Sequence, residues 1–268
     1  MNKRKSLKEL NLLDKFLFDE AMDDPENVKT MLDIILSQNT NLKQSPQTEK
    51  EQRISTDNRQ IRLDVYAIDE DDVIYEVEAQ KENTHNLLKR SRLYQGIIDS
   101  KLLPPGVVDF NLLNEVLIVM ITPFDLFGYG LYRYTFQMRC EEVPELKLDD
   151  GATRIFLNTR GKHPELVSSE LIELLKYMEH STDEVSEACE SKRIQEMHRR
   201  VCRIKASEKT EVKYMQAWEE KLLERQKEKR ELLRKMNHKM SIEKIADVLD
   251  MDVSEVKHII EEQYDTED

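Results

Sequence analysis

The chain is poor in the residues that punctuate or staple a fold. Its 268 residues hold six glycines, seven prolines, three cysteines and one tryptophan. So little glycine and proline excludes collagen-like, low-complexity and mostly disordered chains. Cys140, Cys189 and Cys202 are odd in number and share no C-x-x-C spacing, which supports neither a disulfide framework nor a zinc ribbon. All three read as ordinary reduced thiols. The histidines, at 85, 163, 180, 198, 238 and 258, form no H-E-x-x-H or paired metal spacing and read as incidental. There is no Gly-rich phosphate loop, so no nucleotide or other small-molecule cofactor is expected. Long apolar runs are missing too: the longest, Val116 to Ile121, falls far short of the roughly 20 residues that cross a bilayer, so no membrane partner is expected. The basic opening Met1-Asn2-Lys3-Arg4-Lys5 is interrupted by Lys8 and Glu9 before a signal-peptide core can form, and a cytoplasmic location is the expectation.

What is abundant is charge. Acidic residues number 54 against 41 Lys+Arg, a formal net charge of -13, and hydrophobic residues make up 39%. That composition favours a helix-rich fold with long solvated faces over a thick β-sandwich. Net negative charge repels polyphosphate at long range, so a nucleic-acid contact requires a locally basic strip or a bound cation.

Helical periodicity over Leu7 to Met22 and Glu26 to Ser37 predicts two helices, with Pro25 placed to start the second. From Gln38 to Gln60 the polar composition predicts a loop, with a short strand near Ile54. Residues 61 to 68 and 73 to 80 alternate around Asp69-Glu70-Asp71-Asp72 and predict a β-hairpin. A helix over 84 to 103 ends at Pro104-Pro105-Gly106. Strands follow at Glu115 to Ile121, Leu131 to Met138 and Thr153 to Asn158. Beyond Ser168 the chain reads as helical: Ser168 to Met178, Thr182 to Ser207, Glu208 to Met236, and a pair of short helices between Met240 and Glu262, with Ser254 as a cap. The fold class expected is α/β with a mixed sheet and a helical C-terminal extension.

The hairpin carries the chemistry. Alternation puts Arg62, Asp64 and Tyr66 on one face of its first strand, and Glu76, Glu78 and Gln80 on one face of its second. If the apolar faces share one core, the polar faces coincide, Asp64 stands opposite Glu78, and the loop has an odd number of residues. Facing carboxylates repel, and a divalent cation relieves this well: Mg²⁺ takes one or two carboxylates, leaving positions for water and substrate phosphate. The competing reading is an amphipathic hairpin with a solvated acidic face, in which Arg62 bridges Glu76 or Glu78.

Arg62-Leu63-Asp64-Val65-Tyr66 and Tyr75-Glu76-Val77-Glu78-Ala79-Gln80 resemble the core of the PD-(D/E)XK nuclease family transposases, the Rpn recombination-promoting nucleases. Leu63 stands where the wider superfamily has Pro. Gln80 stands where it has Lys, as is usual in this branch, and cannot act as a charged electrophile. Asp14 to Glu20 with Asp24 to Asn27, Arg90 to Gln95, Thr122 to Gly128, Tyr134 to Phe136 and Ile155 to Thr159 resemble further blocks of the same family. Helical periodicity beyond the sheet reads as an extension over 166–237, and 238–268 resembles a small helix-turn-helix unit, while the family resemblance implies a restriction-endonuclease-like core over 1–165. It also implies Mg²⁺-dependent cleavage of DNA, with Mn²⁺ as a substitute, in recombination or element mobility. Asp64 and Glu78 are then the metal ligands, and Gln80 positions water or phosphate. Glu76 is either an auxiliary acid or a solvated strand residue. Arg90, Arg92 and Tyr94 either reach phosphates or form an exposed basic helix face, and Asp14 or Glu20 is a further acid. A homodimer is compatible with this reading. In the C-terminal pair, Glu255, Glu261 and Glu262 outweigh Lys257, which favours a structural or protein contact over base reading. The alternative function is a decayed nuclease that serves as a DNA- or protein-binding module.

Overall fold

The computed structural model describes residues 4–52 and 61–261. By packing they divide into two units, Lys5–Ser207 and the residues from Glu208 onward, with Arg4 grouping with the latter. The first unit is α/β, built on one six-stranded mixed sheet. Its strands are β1 (Gln47–Gln52), β2 (Ile61–Ile68), β3 (Ile74–Ala79), β4 (Val116–Thr122), β5 (Arg133–Phe136) and β6 (Ala152–Asn158), in the order β1-β2-β3-β4-β6-β5. The β3-β4 and β4-β6 pairs are parallel and the rest antiparallel. The helices of this unit are α1 (Lys15–Met22), α2 (Pro25–Leu36), α3 (Leu87–Asp99), α4 (Ser169–Glu179), α5 (Asp183–Glu187) and α6 (Lys192–Lys205).

The continuous apolar run of β4 is explained by its place: it lies inside the sheet, and Val116, Ile118, Val119, Met120 and Ile121 are all buried. Helix α3 covers one face, where Tyr94, Ile97 and Ile98 pack with Tyr66, Ile74, Val116, Ile118, Met120 and Phe156. On β3 that face belongs to Ile74, Glu76 and Glu78, and every residue of the strand is buried. The acidic face of the hairpin is therefore not a solvated one. Alternation was readable in the sequence, but the helix that covers it comes from a later segment.

Hairpin register is set at the turn. Val65 pairs with Val77 and Ile68 with Ile74, leaving a five-residue loop of 69–73. Asp69, buried, accepts hydrogen bonds at Oδ1 from the amides of Asp71 (3.0 Å) and Val73 (2.9 Å), and at Oδ2 from the Tyr75 hydroxyl (2.6 Å). One side chain thus closes the turn and anchors β3.

Several expected boundaries move. The single helix expected over Leu7 to Met22 is a 3-10 turn, Leu7–Glu9, followed by α1. The break arises because Asn11 to Leu13 bind elsewhere: Leu13 donates to the Met178 carbonyl (3.1 Å), Leu12 to Ser181 Oγ (2.9 Å), and Asn11 Oδ1 accepts from the Ser181 amide (2.9 Å). The loop expected over Gln38 to Gln60 contains β1, a polar strand at the sheet edge that pairs with β2. The strand expected near Ile54 lies outside the described residues. The helix expected over Thr182 to Ser207 is broken into α5 and α6, where Glu173 accepts the amides of Glu190 (3.2 Å) and Ser191 (3.1 Å) and Ser191 caps α6.

The boundary at 165/166 lies inside the first unit, because α2 packs against α4 and α6, whose Leu171, Leu174, Leu175, Ile194, Met197 and Val201 are buried. In the second unit, α7 (Glu208–Asn237), α8 (Ile242–Leu249) and α9 (Val253–Glu261) enclose a small core of Leu233, Ile245, Ala246 and Val256, so 237/238 is no break in packing either. Asp252 rather than Ser254 starts α9, its carboxylate accepting from the Ser254 amide at 2.8 Å. Among the described residues no helix is long and apolar enough to cross a membrane.

Asp69→Ala is expected to lower unfolding free energy by about 2–4 kcal/mol, because two amides and a buried tyrosyl hydroxyl lose their acceptor together. Urea unfolding measures it, with Tyr75→Phe as the smaller companion change. A loss below about 0.5 kcal/mol would remove the turn from the account of the register.

Candidate functional site

The β2–β3 register, continued one residue past Val65–Val77, sets Asp64 opposite Glu78, the arrangement alternation allows. Asp64 and Glu78 are each 5% exposed and Glu76 is fully buried. Three of their oxygens, both of Glu76 and Oε2 of Glu78, are buried without a hydrogen-bond donor. Carboxylates so placed repel one another, and Glu76 and Glu78 resist ionisation.

Two helices bring cations to this group. From α1, Lys15 donates to Asp64 at 2.6 Å and lies 3.1 Å from Asp19, one helical turn along. From α3, the Arg90 guanidinium bridges Glu78 and the side-chain oxygen of Gln80, the latter at 2.8 Å. The Gln80 amide nitrogen donates to the Glu82 carbonyl at 2.8 Å, so both ends of that amide are engaged. Tyr94 lies one turn beyond Arg90 with its ring 5.8 Å below the guanidinium. Arg92, on the same helix, is exposed and makes no part of the cluster. Arg62 pairs with Glu49 (3.1 Å) and Glu51 (3.6 Å) of β1 rather than with Glu76 or Glu78.

Burial first and charge second set the titration of Glu76, Glu78 and Asp19. Burial drives the Glu76 carboxyl well above the usual range, and the Glu78 and Asp64 charges drive it further. Glu78 is pushed up to about 7 by burial and then by Asp64, against the opposing pull of Arg90 and the Tyr94 hydroxyl. Asp19 also rises to about 7, chiefly through burial and in spite of Lys15. Burial works against the Lys15 ammonium, yet Asp64 and Asp19 hold it above its ordinary value. Four carboxylates thus share two cations.

Lys15 and Asp19 were missed in the sequence, although their i,i+4 spacing on one helix is a readable signal. Of the acids suggested from the first helix, Asp14 stands at the α1 N-cap and pairs with Lys81, and neither it nor Glu20 is the helix's partner to Asp64. The buried oxygens without donors, on side chains of hard-oxygen type, fit a small divalent cation held by one or two carboxylates. Among the described residues the one group of three His, Cys, Asp or Glu side chains with ligand atoms all within 4.8 Å lies elsewhere, at Asp183, His198 and Cys202. A metal at the hairpin would have at most a pair of these carboxylates as protein ligands, the remaining positions being open. No family model, curated protein or solved structure matches the chain.

Glu78 ordinarily titrates at 4.5, so through the interval up to about 7 the folded chain keeps a proton the unfolded chain has lost. Its contribution to stability therefore falls as pH rises. Glu78→Gln is expected to match wild type near pH 4 and to exceed it by on the order of 2 kcal/mol near pH 8. Urea unfolding of both proteins at the two pH values checks this, and a difference independent of pH would show that ionising Glu78 costs the fold nothing.

Proposed function

We propose that the chain is a metal-dependent DNA endonuclease of the PD-(D/E)XK type that acts in recombination or element mobility. The observation that carries the reading is the juxtaposition of Asp64 and Glu78 on adjoining strands, beside buried carboxylate oxygens that no protein donor satisfies. The motif residues around them support it. A bound Mg²⁺ or Mn²⁺ would supply neutralising charge for a scissile phosphate and a water of lowered pKa.

The chain's own residues take the remaining roles. Asp64 and Glu78 would hold the metal. Arg90 keeps Glu78 oriented and partly ionised at neutral pH, and fixes the Gln80 side chain beside it. Gln80 carries no charge, so Lys15, half exposed and beside Asp64, is the group that offers positive charge to a developing phosphorane. Exposed Lys89 and Arg92 on α3 form a local basic strip for flanking phosphates, which answers the net charge of -13.

A second reading rests on the same pairings. Lys15 and Arg90 already meet Asp64 and Glu78, and both ends of the Gln80 amide are occupied, as in a decayed nuclease whose acids are held by fixed cations and which serves as a binding module.

Plasmid nicking separates the two. The enzyme requires cleavage in Mg²⁺ or Mn²⁺ that falls at least ~100-fold in Asp64→Ala and in Glu78→Ala, with a smaller loss in Lys15→Met. Plasmid left intact by wild type in both metals, with DNA binding retained in both alanine variants, establishes the module instead.

A further inference from the structure

Away from the hairpin, Asp183, His198 and Cys202 bring three different ligand atoms together, Oδ1, Nε2 and Sγ, all within 4.8 Å of one another. The local fold explains the convergence. Thr182 caps α5 by accepting the Val185 amide, which sets Asp183 in the first turn. His198 and Cys202 are four residues apart on α6 and so share one face. Helices α5 and α6 pack together, and the acid of one meets the imidazole and thiol of the other. His198 Nε2 lies 2.7 Å from Asp183 Oδ1 and 3.3 Å from Cys202 Sγ, and the sulfur lies 3.9 Å from the same Asp183 oxygen.

This is not the geometry of a nucleophilic triad. There the acid and the nucleophile bind opposite nitrogens of the imidazole, so that one orients the ring while the other surrenders its proton. Here both meet Nε2. The other nitrogen, Nδ1, faces the hydroxyl of fully buried Tyr177 at 3.0 Å. In the metal-free chain the short contact has Nε2–H donating to the Asp183 carboxylate; with a metal bound, the Tyr177 oxygen can accept the Nδ1 proton and leave the Nε2 lone pair as ligand. Tetrahedral Zn²⁺ bonds of the usual lengths separate N, O and S donors by about 3.3–3.6 Å. The three observed separations straddle that range, and the Asp183 side chain, 82% exposed, is free to adjust.

We propose that Asp183, His198 and Cys202 form a binding site for a thiophilic divalent transition metal, Zn²⁺ foremost, which ties α5 to α6 and leaves a fourth position for water. The mixed sulfur, nitrogen and oxygen donors suit Zn²⁺ or Co²⁺ and disfavour Mg²⁺, so the site is independent of any hard cation at the hairpin. Binding takes the thiolate, and the displaced thiol proton goes to solvent. Burial, and then the Asp183 charge, hold the metal-free thiol above its ordinary value, in keeping with a protonated sulfur donating toward Asp183.

The test uses the full chain stripped with a chelator and titrated with Co²⁺. One equivalent is expected to produce a thiolate-to-cobalt charge-transfer band with tetrahedral ligand-field bands, abolished by a stoichiometric addition of Zn²⁺ and unaffected by excess Mg²⁺. Cys202→Ser and Asp183→Asn, each confirmed as folded by circular dichroism, are expected to lose or sharply weaken the signal, whereas Cys140→Ser and Cys189→Ser keep it. Tyr177→Phe is expected to weaken binding by about 10- to 100-fold without removing a ligand. Absence of a charge-transfer band at one equivalent, or a band that survives Cys202→Ser, overturns the proposal. Neither outcome depends on DNA cleavage.

Discussion

Asp64 and Glu78 stand opposite one another on adjoining strands, Glu76 lies two residues from Glu78 inside the sheet, and Asp19 approaches from α1. Setting four carboxylates, three buried and Asp19 half-buried, against two cations is the constraint around which this unit is arranged. Removing acids from water is costly, and their mutual repulsion adds to the cost, so each needs a cation, a proton or a metal. Lys15 serves Asp64 and Arg90 serves Glu78, while Glu76 is held toward its neutral form. The two helices that carry these cations are thereby tied to the hairpin, and the site and the packing of α1 and α3 become one problem.

That arrangement gives chemical meaning to a part of the fold that stability alone would not select. A buried Ile at position 76 would pack against Ile118 across the β3–β4 pair with no charge to relieve. The acids are instead kept where a proton or a positive charge must complete their surroundings. The second group, at Asp183, His198 and Cys202, follows different logic: one acid, one imidazole and one thiol satisfy each other at the margin of two helices, and its softer donors look to a different class of ion.

Much of the sheet was legible before any coordinates. Alternation in 61–68 and 73–80 located the hairpin, and setting Asp64 opposite Glu78 required an odd loop, which the structure provides as the five residues 69–73 rather than the four acidic residues 69–72. The apolar run of β4 announced an interior strand. Strand β1 escaped because Gln47 to Gln52 carries no apolar pattern: an edge strand is held by backbone pairing with β2, which polar residues serve as well as any. The break between α5 and α6 escaped because its cause, Glu173, lies on a different helix.

The site divides in the same way. The sequence by itself determined which residues share a strand face, hence the candidate pair Asp64 and Glu78 with Glu76 and Gln80 beside them, because side-chain direction in a strand follows from local backbone geometry. The four-residue spacing of His198 and Cys202 within an expected helix was also present, although these residues read only as an incidental histidine and an ordinary thiol. Tertiary structure alone decided that the acidic face is buried, that Lys15 and Asp19 belong to it while Arg92 does not, and that Asp183 joins the histidine and thiol. Burial and electrostatic pairing depend on which distant segment covers a surface, and no local periodicity carries that information.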